Sequence, residues 1–72
     1  MDADEKAFLG LLGNNIRKYR ALKSYSQSNL SDDCNIAKST LQRIENSKLN
    51  PTILMLKKIA STLEVEIEDL IK

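Results

Sequence analysis

The chain has 72 residues, of which 42% are hydrophobic and 29% charged, and its net charge is +1. This length suffices for one small domain and is too short for two, and the balanced composition favours a folded globular chain over a disordered or membrane protein. One Cys and no His exclude an internal disulfide, a Cys/His metal cluster and a Cys/His nucleophile pair. Because a Gly-rich phosphate loop and a pattern of paired carboxylates are also absent from the sequence, we expect neither an enzyme nor a bound cofactor or metal.

The N-terminal sequence MDADEKAFLGLLG begins with acidic residues and contains only a short apolar run. Secretory signals begin with basic residues, and no apolar stretch of the chain approaches the length that spans a bilayer, so we expect a cytoplasmic protein with no membrane contact. The nearly balanced charge gives no global attraction to nucleic acid or anionic lipid. Binding to a polyanion would therefore depend on where individual charges are placed.

The chain reads as helices joined by short turns, because β-branched residues never form alternating runs flanked by hairpin turns. This pattern predicts an all-α domain. The first helix begins near Asp2, which can form a capping box with Glu5, and continues to about Lys23. Gly10 and Gly13 each cost about 1 kcal/mol relative to Ala inside a helix, so its N-terminal part is expected to fray or bend. The residues predicted to face the core are Phe8, Leu12, Ile16 and Tyr19.

Four shorter helices follow the first. One runs from the N-cap Ser26 to about Cys34, and another runs from about Lys38 to Asn46, after a turn at Asn35. Thr52 can cap a fourth helix, and a last one covers about residues 66–71. The fourth helix has a buried stripe of Leu56, Ile59, Ala60 and Leu63. The last helix is predicted to bury Ile67, Leu70 and Ile71.

The third helix, within CNIAKSTLQRIEN, has a polar face that bears hydrogen-bond donors and no carboxylate. A helix that enters a DNA groove must avoid negative charge and needs side chains that read base edges. Arg and Lys suit the acceptors of guanine, and Gln suits the donor and acceptor pair of adenine. A short polar face of this kind also occurs by chance on a solvated helix, so these residues alone leave both interpretations open.

Five blocks of the sequence carry a resemblance to a known family: LGNNIRKYR, SQSNL, NIAKSTLQRIEN, Pro51 with LKKIASTL, and VEIEDL. They resemble the helix-turn-helix domains of phage repressor and Cro proteins and of the related xenobiotic-response-element type of bacterial regulators. The resemblance implies a five-helix, lambda-repressor-like fold in which the second and third helices form the DNA-binding unit and the third lies in the major groove. Residues 12–72 would form this domain, and residues 1–11 would extend its first helix.

The resemblance also implies roles for individual residues. The base-reading residues would be Lys38, Ser39, Gln42 and Arg43, with Ala37 at the start of the helix. The residues that contact the DNA backbone would be Gln27, Asn46 and Lys48, and Gln27 would also brace a neighbouring reading side chain. Arg20 and Glu45 would form a structural ion pair that joins the first helix to the third.

The sequence departs from the family pattern at several positions. Ser24, Asn35 and Ser47 stand where the family usually has Gly, at helix ends that often need a positive φ. Ala37 replaces the usual Ser or Thr cap, a loss of about 1 kcal/mol. Cys34 stands where the family has a small aliphatic residue, which favours a buried side chain over a redox sensor.

Leu54 and Met55 lie outside the core stripe of the fourth helix, at positions that the family commonly fills with polar residues. We expect a homodimer in which Leu54, Met55, Ile67 and Ile71 meet their symmetry mates. The alternative is that they cover the end of the first helix near Phe8.

The function expected from these features is a sequence-specific transcriptional regulator, a repressor or controller, that binds a palindromic operator in double-stranded DNA as a dimer. Such a protein would be cytoplasmic and nucleoid-associated. The alternative is an antitoxin or another protein-binding module with the same fold, in which the exposed apolar residues hold a protein partner.

Overall fold

Five α-helices make up the computed structural model, which describes residues 2–72. They are α1 (Ala3–Leu22), α2 (Gln27–Cys34), α3 (Lys38–Glu45), α4 (Ile53–Leu63) and α5 (Ile67–Leu70). No strand occurs among residues 2–72, so the predicted all-α class is confirmed. Within the same range, no helix is both long and apolar enough to cross a membrane.

All five helices contribute to one apolar core. Its buried side chains are Leu9, Leu12, Ile16, Leu30, Cys34, Leu41, Ile44, Leu56, Ile59, Ala60, Leu63 and Leu70. The stripe predicted for α4 is buried in full, as are Leu12 and Ile16 of α1. The core therefore holds α2 and α3 against a base made of α1, α4 and α5.

The predicted burial of Phe8 is wrong: Phe8 is 48% exposed, and Leu9 is 7% exposed in its place. At about 100° of rotation per residue, Leu9 lies about 20° around the helix from Ile16, whereas Phe8 lies about 80° away. Leu9 therefore shares the inward direction of Ile16. Tyr19, at the other end of the predicted face, is half-buried against the core.

Helix α1 is continuous through both of its glycines, so the predicted fraying is wrong. The predicted capping box is present: the Glu5 amide donates to the Asp2 carboxylate at 2.8 Å, and the Asp2 amide donates to the Glu5 carboxylate at 3.0 Å. These two bonds satisfy amides that have no partner inside the helix and so stabilise its first turn.

The turns between helices use left-handed backbone. Ser24, Asn35 and Ser47 have φ of 58°, 58° and 63°, as predicted from their positions at helix ends. Glu64, at the end of α4, also has a φ of 60°, which the sequence did not indicate because Glu rarely adopts this conformation.

Side-chain caps begin two of the shorter helices. Ser26 accepts a hydrogen bond from the Asn29 amide at 3.0 Å, and Thr52 accepts one from the Met55 amide at 3.1 Å. Both caps were predicted from the sequence. These bonds fix where α2 and α4 begin.

Helix α5 is shorter than predicted and is less buried. Leu70 is fully buried, but Ile67 and Ile71 are only half-buried against the core, so the prediction that all three are buried is wrong for these two. A single turn of helix has one inward direction, which Leu70 occupies.

Candidate nucleic-acid interface

Helix α3 is held by its apolar side and presents a polar side to solvent. Leu41 and Ile44 are each 1% exposed and anchor the helix in the core. The predicted base-reading residues lie on the exposed surface: Ala37, Lys38, Ser39, Gln42 and Arg43. None of these carries a negative charge, so the outward face can approach a polyanion without repulsion.

The turn between α2 and α3 fixes the angle at which α3 leaves the scaffold. Asn35 adopts the left-handed conformation, and the Ile36 amide donates to the Ser31 carbonyl at 3.0 Å, which closes the end of α2. Helix α3 then begins at Lys38, and its N-cap residue, Ala37, makes no side-chain cap hydrogen bond. The amides of its first turn are consequently free to bind an external acceptor.

Arg20 on α1 and Glu45 on α3 form a bidentate ion pair. Arg20 Nε and Nη2 donate to the two carboxylate oxygens of Glu45, each at 2.9 Å, and Arg20 Nη1 donates to the Tyr25 carbonyl at 3.1 Å. Glu45 is 1% exposed, so its charge depends on Arg20 for neutralisation. The pair therefore ties α3 to α1.

The same carboxylate also contacts α2. Gln27 Nε2 donates to Glu45 Oε1 at 3.1 Å, and Gln27 Oε1 accepts from Gln42 Nε2 at 3.3 Å. Gln27 thus lies between a buried structural residue and an exposed base-reading candidate. The bracing contact that the resemblance implied for Gln27 is present, with Gln42 as its partner.

Arg17 contributes to this interface and was missed from the sequence. Its Nη1 donates to the Glu45 carbonyl at 2.6 Å, and its Nη2 donates to Asn14 Oδ1. A guanidinium at this position satisfies a carbonyl at the C-terminal end of α3 and complements the negative end of the helix dipole. Its position one turn before Arg20 on α1 was the available signal, because residues three apart share a helix face.

The predicted backbone-contacting residues lie at the two ends of the α2 and α3 unit. Asn46 and Lys48 are exposed immediately after α3, where the Lys48 amide donates to the Arg43 carbonyl at 2.8 Å and Ser47 has positive φ. Gln27, in the first turn of α2, is half-buried because its amide contacts protein groups.

A second, apolar surface lies on α4. Leu54 is 67% exposed, and its neighbour Ile53, which the sequence-based prediction omitted, is 65% exposed. Met55, Ile67 and Ile71 are half-buried and can contribute only part of their surface. Phe8, near the start of α1, is itself 48% exposed.

This arrangement of α2, the turn and α3 is that of a helix-turn-helix protein, and a family comparison of the sequence leads to the same class. The helix-turn-helix family HTH_3 matches residues 16–70, which is most of the chain. The chain belongs to this family. The resemblance stated from the sequence and the five-helix, lambda-repressor-like fold are thereby confirmed.

Two curated relatives are HTH-type transcriptional regulators of Bacillus subtilis. The chain is 41% identical to SlrR over 61 residues, which cover 83% of this chain and 40% of SlrR. It is 39% identical to SinR over 62 residues, which cover 85% of this chain and 56% of SinR. The chain therefore spans about half the length of these relatives. The prediction that it is not an enzyme agrees with both, since each is named as a transcriptional regulator.

Comparison with solved structures also finds regulator and controller proteins with this fold. SinR in complex with DNA superposes with a TM-score of 0.82 at 37% identity, covering 85% of this chain and 98% of that one. The restriction-modification controller protein C.AhdI of Aeromonas hydrophila gives a TM-score of 0.86 at 26% identity, covering 89% and 97%. SinR has also been solved in a complex with the protein SinI, in which 85% of this chain matches 60% of the solved chain at 37% identity.

Proposed function

We propose that the chain is the DNA-binding domain of a transcriptional regulator and that it reads sequence by inserting α3 into the major groove. The observation that carries the proposal is the outward face of α3, which bears donors and no carboxylate and is joined to α1 through Glu45. The SinR complex supports it, because a relative with the same fold was solved on DNA.

The roles proposed for individual residues follow from their chemistry. Lys38 and Arg43 present cations that suit the guanine acceptors, and Gln42 suits adenine. Ser39 suits a hydrogen bond to a base edge, and the methyl group of Ala37 suits contact with a thymine methyl. The proposed phosphate contacts come from Gln27, Asn46 and Lys48, which would fix the register of the domain on the duplex without reading sequence.

The proposal includes a homodimer on a palindromic operator. One α3 helix reads only a short half-site, whereas a twofold dimer places two such helices about 34 Å apart, one turn of DNA. Leu54, with the exposed parts of Met55, Ile67 and Ile71, would form the interface. Ile53 adjoins Leu54 and extends this apolar surface.

Selection of bound sequences from a random DNA pool tests the proposal directly. The expected result is a motif of two inverted half-sites, with an affinity that falls steeply as salt rises because bound phosphates release counterions. Recovery of no enriched motif would contradict sequence-specific binding. A motif with a single half-site would contradict the palindromic dimer while leaving base reading intact.

Sedimentation of a matched pair of variants tests the interface. Leu54→Ser is expected to shift the protein towards monomer, whereas Leu22→Ser, which removes a side chain 72% exposed at the end of α1, should leave the oligomeric state unchanged. A wild-type protein that stays monomeric at high concentration, both with and without DNA, would refute the dimer.

The second candidate function is a protein-binding module, such as an antitoxin. The exposed Ile53 and Leu54 favour it, as does the solved complex of SinR with SinI. A net charge of only +1 is also consistent with it. The salt dependence discriminates between the two functions, because binding through an apolar surface changes little as salt rises whereas DNA binding weakens steeply.

A further inference from the structure

The hydrogen bonds that join Arg20, Glu45, Gln27 and Gln42 permit only one orientation of each amide. A carboxylate can only accept hydrogen bonds, so the group that Gln27 presents to Glu45 at 3.1 Å must be its NH2 group. The carbonyl oxygen of Gln27 then faces Gln42. Because that oxygen also only accepts, Gln42 must present its own NH2 group to it, at 3.3 Å.

This orientation determines what Gln42 offers to a base. One of its two N–H hydrogens is engaged by Gln27, which leaves the carbonyl oxygen and the second N–H free. Adenine presents a matching donor and acceptor, N6–H and N7, in the major groove, whereas guanine presents two acceptors, O6 and N7. Guanine O6 would meet the Gln42 oxygen, and two acceptors repel.

We propose that Glu45 is a positioning residue for base reading, whose carboxylate presets Gln42 for adenine through Gln27. This inference rests on the proposed DNA-binding function and adds a second role to a residue whose first role is the ion pair with Arg20. It also fixes the direction of the adenine, with N7 against Gln42 Nε2 and the N6 amino group against Gln42 Oε1.

The hydrogen bonds run from Glu45 through Gln27 to Gln42, and the burial of Glu45 stabilises the orientation of both glutamine amides. Glu45 is 1% exposed and accepts two hydrogen bonds from Arg20, so little of its carboxylate is open to water in competition with Gln27. Gln27 is half-buried, and only Gln42 is exposed. An exposed Gln without this support would turn its amide freely and could present either group to a base.

The test compares wild type with Gln27→Met, an unbranched side chain of similar length that breaks the path and leaves the Arg20–Glu45 pair intact. At the base pair where the Gln42→Ala variant loses selectivity, Gln27→Met should lower the preference for adenine over guanine about tenfold. Selectivity at base pairs that do not depend on Gln42 should be unchanged, even if the loss of the Gln27 phosphate contact weakens binding to every sequence. Glu45→Gln, checked for folding by circular dichroism, should lower the same preference, because an amide can accept or donate and no longer orients Gln27.

A measurement without DNA tests the orientation itself. In the NMR spectrum of the free protein, one proton of the Gln42 side-chain amide should resonate downfield and exchange slowly, and both properties should disappear in Gln27→Met. Gln42 amide signals that are identical in the two proteins would overturn the inference. Unchanged adenine selectivity in Gln27→Met would also overturn it and leave DNA binding standing, whereas a wild-type protein that binds no DNA specifically would overturn the proposed function as well.

Discussion

Gly13 on α1 lies directly against the main chain of Glu45 at the end of α3, so closely that a Cβ at Gly13 would be 2.5 Å from the Glu45 carbonyl oxygen. Arg17, one turn further along α1, donates to that same oxygen at 2.6 Å. The end of α3 is therefore fixed to α1 through the backbone of Glu45 as well as through its side chain. Any residue larger than glycine at position 13 must displace α3.

Gly13→Ala should consequently destabilise the protein, against the usual effect of replacing glycine in a helix. Alanine gains about 1 kcal/mol of helix propensity, but overpacking costs about 1 to 3 kcal/mol, and a clash with backbone atoms cannot be relieved by moving a side chain. We expect a net fall in the free energy of unfolding, measured in urea.

Gly10→Ala is the matched control, because its Cβ would find its nearest neighbour, Ser47 Oγ, at an ordinary 3.9 Å. This change should raise the free energy of unfolding by up to about 1 kcal/mol. Effects of the same sign at the two positions would contradict the close approach of α1 and α3.

Gly13 also illustrates what the sequence could not provide. In a single helix, a glycine is only a loss of propensity, and nothing within α1 indicates that the end of α3 passes over it. The error at Phe8 was of another kind, because helical periodicity measured from Ile16 already favours Leu9 over Phe8 as the inward residue. Of the two, only the contact at Gly13 depends on tertiary structure.

Caps and turns, which involve residues close together in the sequence, were predicted better than contacts between helices. The capping box at Asp2, the cap at Thr52 and the left-handed turn at Asn35 each depend on residues within one turn of each other, and each is present. The contact between Arg20 and Glu45 joins residues 25 apart in sequence, and only the family resemblance indicated it. The hydrogen bonds from Glu45 through Gln27 to Gln42 could not be predicted from the sequence, because they depend on how two side-chain amides are oriented in space.

Arg20→Ala should lower the free energy of unfolding by about 3 kcal/mol, because it leaves the buried Glu45 carboxylate without its counter-charge. Gln27 alone cannot replace two charge-assisted bonds. Thermal or urea unfolding measures the effect. The control is Glu64→Gln at the Lys23–Glu64 pair, where the Glu64 side chain is 75% exposed and solvent screens the interaction. A loss as large in Glu64→Gln as in Arg20→Ala would show that burial is not the cause.

Arg43→Ala and Lys48→Ala should affect DNA binding in different ways. Arg43 is exposed on the outward face of α3, and its loss should relax the choice of base at one position of each half-site, at a cost of about 1 to 3 kcal/mol for the preferred operator. Lys48 follows α3, and its loss should weaken binding to all sequences alike and reduce the salt slope by about one. Competition binding with operator and mutated operator at several salt concentrations measures both. An Arg43→Ala protein with unchanged operator affinity would count against base reading by Arg43.

Ser24→Gly should stabilise the protein, because Ser24 has a φ of 58° after α1 and glycine adopts this region without steric cost. The left-handed conformation costs an ordinary L-residue about 1 kcal/mol, so a gain approaching that value is expected, seen as a higher midpoint of thermal unfolding. Asn35→Gly has nearly the same φ but should gain less, since Asn already tolerates it. An equal or larger gain at Asn35 would indicate that backbone strain is not what limits stability at Ser24.

Cys34 should behave as an inert core side chain in the folded protein. It is 4% exposed, its thiol donates to the Lys58 carbonyl at 3.8 Å, and burial raises the pKa of the thiol above its usual range. Because the thiolate is the reactive form, alkylation of the native protein at neutral pH should be slow and should accelerate in denaturant. Fast alkylation of the folded protein would instead support the redox interpretation.

The same shift in pKa predicts how stability changes with pH. Below the ordinary pKa of a thiol, Cys34 is protonated in both the folded and the unfolded state and adds no pH dependence. Above it, the unfolded chain releases the proton while the folded protein retains it, so the free energy of unfolding falls as pH rises towards the raised pKa of the folded state. Cys34→Ala removes this contribution without introducing another titrating group. Its unfolding free energy should therefore decline less steeply than that of wild type between neutral and alkaline pH, and equal slopes would show that the thiol ionises as easily in the folded protein as in the unfolded chain.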